Sequence, residues 1–381
     1  MLRLNTSHSH ILSHVIAVVL LFFVGSNARG ESPRPPILYD ITRLLEGDRS
    51  ISLMGGEQMA LPAEWSDSHR LWFEDLVPGA NWKHAARYRI VDRAGRTVRT
   101  WSHNTPPAKL GITSPLQGSI TSADPARFSL TDHGGKFRIK TPGKAYALFI
   151  NGFAEQRHWN DFSFMYRTLT TVYGYSTENI YVADTIFRTK KPDLDGDGRW
   201  DIRYDSSING VKSAIEDLAK QLTENDQLLI MVNDHGEIIN GESTLVLYNG
   251  EVTASAFSKW FEKIPSSIIA VFGQCYSGGF VRPFIKDHKN RVAIAASSDI
   301  EISWARPDRV FNEFLYHWIS AMSHQRPDGT PVSADHNQDG LVSAREAFAY
   351  AIREDRAPET PLMESFRNSG TDHDISLTPQ K

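Results

Sequence analysis

Five short, unbroken apolar runs separated by segments of helical periodicity restrict this chain to few folds. The runs are Ala145–Asn151 (AYALFIN), Asn179–Ala183 (NIYVA), Leu228–Val232 (LLIMV), Ser267–Phe272 (SIIAVF) and Val292–Ala296 (VAIAA). Strands apolar at every position are covered on both faces, as in parallel sheets. The intervening helices are expected over Trp159–Tyr173, Ser207–Thr223 and Thr253–Lys263, and a later one carries Phe311, Phe314, Leu315, Trp318 and Met322. In the second, Ile208, Val211, Ile215, Leu218 and Leu222 line one face at helical spacing. Repeated strand–helix–strand order implies a doubly wound α/β domain with a mostly parallel sheet.

The segment before it differs. Residues 38–140 hold short alternating stretches, with Tyr88–Val91 and Thr97–Trp101 flanking the turn Asp92-Arg93-Ala94-Gly95. This is a hairpin signature and implies a small β-rich N-terminal domain. Trp65, Trp72, Trp82 and Trp101 fall here; burial preference favours core packing over a sugar-stacking platform. Residues 31–37 are a Pro-rich linker, and Thr141-Pro142-Gly143 marks the boundary to the α/β part, expected over 143–325 with a C-terminal extension over 326–381. Residues 1–28 have the form of a secretory signal: Arg3 and no acid, the apolar run Val15–Val24, then Ser26-Asn27-Ala28 for cleavage. The run is too short to span a bilayer comfortably, so a secreted or periplasmic protein without a stable membrane anchor is expected. The 41 basic and 45 acidic residues, net charge −4, exclude a dominant basic field for nucleic acid.

The single cysteine, Cys275, excludes an intrachain disulfide and, in an exported chain, points to either a reactive thiol or an intermolecular bridge. Its setting supports the reactive thiol. LLIMV runs into Asn233-Asp234-His235-Gly236, and SIIAVF runs into Gly273-Gln274-Cys275-Tyr276-Ser277-Gly278-Gly279. Ligands of open α/β sheets bind beyond the carboxyl ends of the strands. Neighbouring strands would therefore bring His235 and Cys275 together as acid/base and nucleophile. The N–H groups of Gly236 and Cys275 would form an oxyanion hole.

His-Gly after one strand and Cys-x-Ser-Gly after the next resemble the caspase–legumain superfamily of cysteine peptidases. The legumain (asparaginyl endopeptidase) side and its bacterial secreted members fit best, over about residues 143–320. The resemblance implies a caspase/hemoglobinase-like fold and a protein or peptide substrate. Arg157, in Gln156-Arg157-His158, matches the family's Arg-His and would line the pocket for the residue before the cut; the plain alternative is an ion pair with Asp161. Ser303, in Ser303-Trp304-Ala305, would bind substrate in the segment that pairs with its backbone. Two departures alter the pocket. Gly273 stands where the family commonly has an acid, and Glu155-Gln156 replaces an Asn before the Arg-His. Strict Asn specificity is therefore not carried over, and Asn, Asp and Arg before the cut stay open.

Two acidic loops suggest structural calcium; no organic cofactor is expected. Asp335 to Glu346 matches an EF-hand-like loop, with ligands expected from Asp335, Asn337, Asp339, the Leu341 carbonyl and Glu346. A helix Ala344–Arg353 would follow it, but Arg326-Pro327-Asp328-Gly329 is a turn where the first EF helix would be. A capping box, Ser343 with Glu346, is the alternative. Asp193, Asp195, Asp197 and Asp201 form a second such loop, with Tyr204 at the twelfth position. The expected activity is a secreted cysteine endopeptidase with a Cys-His dyad. A transamidase or peptide ligase on the same acyl-enzyme, and an inactive calcium-stabilised binding protein, are the rivals.

Overall fold

The computed structural model describes residues 36–46, 49–53, 57–76, 85–107, 115–117, 143–153, 155–185, 192–288, 290–365 and 376–377. The expected signal over 1–28, Trp82, most of the Pro-rich linker and Thr141-Pro142 lie outside the described residues. Among the described helices none is long and apolar enough to cross a membrane.

The N-terminal strands are β1 (Ile37–Asp40), β2 (Leu45–Glu46), β3 (Ser50–Ser52), β4 (Gln58–Ala60), β5 (Arg70–Asp75), β6 (Ala86–Val91), β7 (Thr97–His103) and β8 (Pro115–Gln117). They form an antiparallel sheet in the order β7-β6-β5-β1-β8 and a smaller sheet β2-β3-β4. Inward and outward positions alternate along β6, so Ala86, Tyr88 and Ile90 enter the core. The hairpin forms at the expected turn, with Gly95 at φ +80° and Asp92 Oδ1 accepting the N–H groups of Ala94 and Arg96 at 2.9 Å. Trp65 is buried, and Trp101 stacks on Tyr88 at 5.7 Å between ring centroids. These two tryptophans pack the domain.

The central layer contains β9 (Ala145–Asn151), α1 (Gln156–Arg167), β10 (Ile180–Asp184), α2 (Ile208–Gln221), β11 (Gln227–Val232), β12 (His235–Ile239), β13 (Glu242–Leu247), β14 (Gly250–Thr253), α3 (Ala254–Trp260), β15 (Ser267–Phe272), α4 (Gly278–Ile285), β16 (Arg291–Ala295), α5 (Glu313–Met322), α6 (Ala344–Glu354) and β17 (Leu362–Ser365). The sheet order is β10-β9-β11-β15-β16-β17, parallel except for β17. Ala147 and Phe149 of β9 face a core shared with α1, α5 and α6. Leu148 and Ile150 face a second core shared with α2, α3 and α4. Both faces are covered, which is why the strands are apolar throughout. The fold is the expected caspase-like α/β architecture preceded by a β-rich domain.

Some boundaries differ from expectation. α1 starts at Gln156 and gives way at Thr168–Val172 to a π turn. There Thr168 and Thr170 donate their hydroxyls to the carbonyls of Phe164 and Tyr166, four residues back, at 2.8 and 3.1 Å. α4 begins directly after the turn at Cys275–Ser277, at a Gly-Gly pair that reads as loop. β17 comes from the C-terminal region and caps the sheet edge antiparallel to β16. Phe153 and Val246 of the α/β layer pack into the N-terminal domain's core with Tyr39, Leu71 and Phe73.

Candidate active site

β11 and β15 are adjacent and parallel, in register from Gln227 opposite Ser267 to Val232 opposite Phe272. Their carboxyl ends therefore deliver Asn233–Gly236 and Gly273–Cys275 side by side. A Cβ on Gly236 would fall 2.1 Å from the Cys275 carbonyl oxygen, so the two backbones touch at this point. His235 and Cys275 are both fully buried.

The Cys275 sulfur lies against the expected substrate segment. Ser303 donates its backbone N–H to Sγ at 3.2 Å and its hydroxyl to the Gly273 carbonyl at 2.8 Å. Sγ also donates to the Ser303 carbonyl at 3.7 Å. Tyr276, next after Cys275, sits at φ +58°, and its N–H donates to the Glu301 carbonyl at 2.8 Å. A non-glycine residue in this region is strained, and such strain clusters at functional turns.

The His235 ring is held on three sides. Phe153 meets it edge-on at 4.5 Å between centroids, and His158 packs across it at 5.6 Å. Nε2 lies 3.3 Å from Glu155 Oε1. Burial and the neighbouring Arg157 push His158 well below its usual range, which keeps it neutral. Its Nδ1 lies 3.0 Å from Asn151 Oδ1. One residue back, Asp234 accepts the backbone N–H groups of His235 and Gly152.

Arg157 is buried and pairs with Glu155, not with Asp161. Asp161 Oδ2 instead accepts the side-chain N–H of Asn233 at 2.8 Å and both the side-chain and backbone N–H of Asn312, at 2.7 and 3.2 Å. It thereby ties α1, the approach to His235 and the approach to α5 together. Burial pushes Asp161 up to about 7, against those three donors. A Cβ on Gly273 would lie 2.6 Å from Leu315 Cδ1 of α5, so the acid the family commonly places there would require that side chain to shift.

The segment around Ser303 is engaged by the chain itself. The Trp304 N–H donates to Glu359 at 2.9 Å, and Thr360 donates its N–H and hydroxyl to Glu301 at 3.0 and 3.1 Å. On another side Tyr39 and Asp75 of the N-terminal sheet lie within electrostatic reach of Arg309, and Tyr39 also of Glu155 and Arg157. Phe153 and Glu359 are not marked by any motif, because each acts on a residue far along the chain. Glu155 and Asp161 stand out in the sequence only as neighbours of Arg157, and their partners His235, Asn233 and Asn312 come from distant elements.

At the acidic loops, Asp193, Asp195 and Asp197 each bring a carboxylate oxygen within 4.8 Å of the others. Asp201 lies apart in role, with one oxygen accepting Tyr166 O–H and the other the Leu194 N–H. In the second loop Asp335 accepts the Gly340 N–H and Asp339 that of Leu341, both at 2.9 Å, and the Asn337 side-chain oxygen accepts the Asp339 N–H. The Ser343–Glu346 capping box is formed at the start of α6. Glu346 also accepts the N–H groups of His336 and Asn337, so its oxygens already hold the loop closed.

The sequence profile of the peptidase C13 family matches residues 202–343, a stretch that holds His235, Gly236, Cys275 and Ser303 but not Glu155 or Arg157. It spans less than half of the chain and supports a cysteine-type peptidase acting on protein or peptide. No curated protein matches the chain. Among solved structures, it is similar to protein GSU0716 from Geobacter sulfurreducens at 14% identity and a TM-score of 0.42, covering 62% of this chain and 100% of that one.

Proposed function

We propose that this chain is a secreted, legumain-like cysteine endopeptidase that works through Cys275 and His235. The observation that carries the reading is the contact of the Gly236 and Cys275 backbones at the ends of two adjacent parallel strands. In the reaction, Cys275 passes its proton to His235 and attacks the scissile carbonyl. The N–H groups of Gly236 and Cys275 hold the oxyanion. The imidazolium protonates the leaving amine, and water then resolves the thioester, returning its proton through His235. Because Cys275 and His235 are buried, admission of a peptide requires the covering chain to move.

Arg157, with Ser303 beside the sulfur, is the proposed anchor for the residue before the cut. Its pairing with Glu155 offsets its charge, which favours an amide side chain, Asn, over the carboxylate of Asp. The test is digestion of a diverse peptide mixture by the mature chain with reductant, read by mass spectrometry, beside Cys275→Ala. Cuts after Asn or Asp that vanish in the variant support the proposal; cuts that persist in the variant refute it. An added amine nucleophile separates hydrolysis from transfer to an amine, since both share the acyl-enzyme.

We also propose calcium as a structural ion, held by Asp193, Asp195 and Asp197 in one loop and by Asp335, Asn337, Asp339 and the Leu341 carbonyl in the other. Clustered carboxylates repel unless a cation lies among them. Millimolar calcium is expected to raise the melting temperature by about 4 °C over a chelated control, the scale of a ligand well above its dissociation constant. Asp195→Asn is expected to remove much of that rise. An unchanged melting temperature would contradict the calcium proposal.

A further inference from the structure

The geometry points to Glu155 as the positioning carboxylate of His235, the third member of a Cys275–His235–Glu155 relay. The inference rests on the proposed dyad and goes beyond it. Glu155 is the N-cap of α1, the place where a carboxylate normally accepts an N–H of the first helical turn. Here its side chain makes no capping bond. One oxygen lies 3.3 Å from His235 Nε2, and the other pairs with Arg157 Nη1. The side chain is 15% exposed against 0% for His235. Burial would raise this carboxyl, but Arg157 and His235 outweigh it and hold Glu155 below the usual carboxylate range. It therefore stands ionised beside the imidazole.

Three consequences follow from an ionised carboxylate at Nε2. The charge beside Nε2 favours the proton on that nitrogen, so Nδ1 is the nitrogen that exchanges a proton with Cys275. The Cys275 proton moves to Nδ1, leaving thiolate and imidazolium, and the same Nδ1 proton later goes to the leaving amine. Glu155 keeps its charge throughout and gains no proton. Finally, Phe153 and His158 against the ring restrict it to the orientation that Glu155 selects. Arg157 shares the carboxylate, so the arginine proposed to bind substrate competes with His235 for one anion.

The test is the titration of His235 in the full chain, followed by NMR with labelled imidazoles and assigned by its loss in His235→Gln. Glu155→Gln is expected to lower the His235 midpoint by about one pH unit or more, the effect of removing an adjacent carboxylate. Glu155→Asp, which keeps the charge, is expected to retain most of the wild-type midpoint. Arg157→Gln is expected to raise it, because the carboxylate is then left to His235 alone; this variant carries the test if Glu155→Gln does not fold. A purely structural Glu155 moves none of these midpoints, and coincident titrations in wild type, Glu155→Gln and Arg157→Gln overturn the inference. Cys275→Ala reports separately on the dyad. If it leaves the His235 midpoint unchanged while Glu155→Gln shifts it, the dyad fails and the Glu155 contact stands.

Discussion

His235→Gln is expected to lower kcat/KM on the best-cut peptide by roughly 1,000- to 10,000-fold, the range of a lost general acid–base. Gln nearly fills the imidazole's place between Phe153 and His158, so the loss is chemical and not a collapse of the core. Two functions go together. Without an imidazole the Cys275 proton has no acceptor, and the leaving amine has no donor. The residual rate should rise with pH as hydroxide deprotonates the thiol, whereas the wild-type rate should fall at high pH as the imidazolium is lost. The measurement is kcat/KM against pH for both proteins. Equal rates in the two would remove His235 from the reaction.

Gly236→Ala is expected to lower kcat at least 100-fold and to destabilise the fold by about 1–3 kcal/mol. The added Cβ would lie 2.1 Å from the Cys275 oxygen and 3.0 Å from its carbonyl carbon. Both are backbone atoms, so no rotamer change relieves the clash, and β12 must shift relative to the turn at Cys275. That shift also displaces the Gly236 N–H proposed for the oxyanion. Gly241→Ala is the control. Gly241 lies at the far end of the same hairpin, at φ +80° with open space around its Cβ. It is expected to lose about 1–2 kcal/mol of stability through backbone strain alone, with activity unchanged. Equal activity of Gly236→Ala and wild type would sever the contact between these strand tips from the chemistry.

What the sequence made legible depends on how local the physics is. β9, β11, β15 and β16 declare themselves because each is covered on both faces and so carries an unbroken apolar stretch with a polar residue only at one end. β17, four residues at a sheet edge, keeps three of them half-exposed, so no apolar run betrays it. β12 to β14 form a separate small sheet with mixed burial, which lacks a single period. At the site, His235 and Cys275 are visible because strand ends and small residues mark them. Glu155 is not, because its partner His235 lies eighty positions away and only the pairing of β9 with β11 brings the two strand ends together. Asp161 looked like a partner for Arg157, four residues on. The fold instead brings Asn233 and Asn312 to it from other elements, and Glu155 takes the arginine. The capping box at Ser343 was readable from spacing, since both partners lie within one helical turn.

The most direct test of Cys275 as nucleophile is to trap the acyl-enzyme. The chain is mixed with the peptide it cuts fastest, quenched in acid during turnover, and mapped by mass spectrometry. The acyl fragment is expected on Cys275 as a thioester, released by hydroxylamine and missing in Cys275→Ala. Product formation with no acyl group on Cys275, or with the group on neighbouring Ser277 or Ser303, would contradict it.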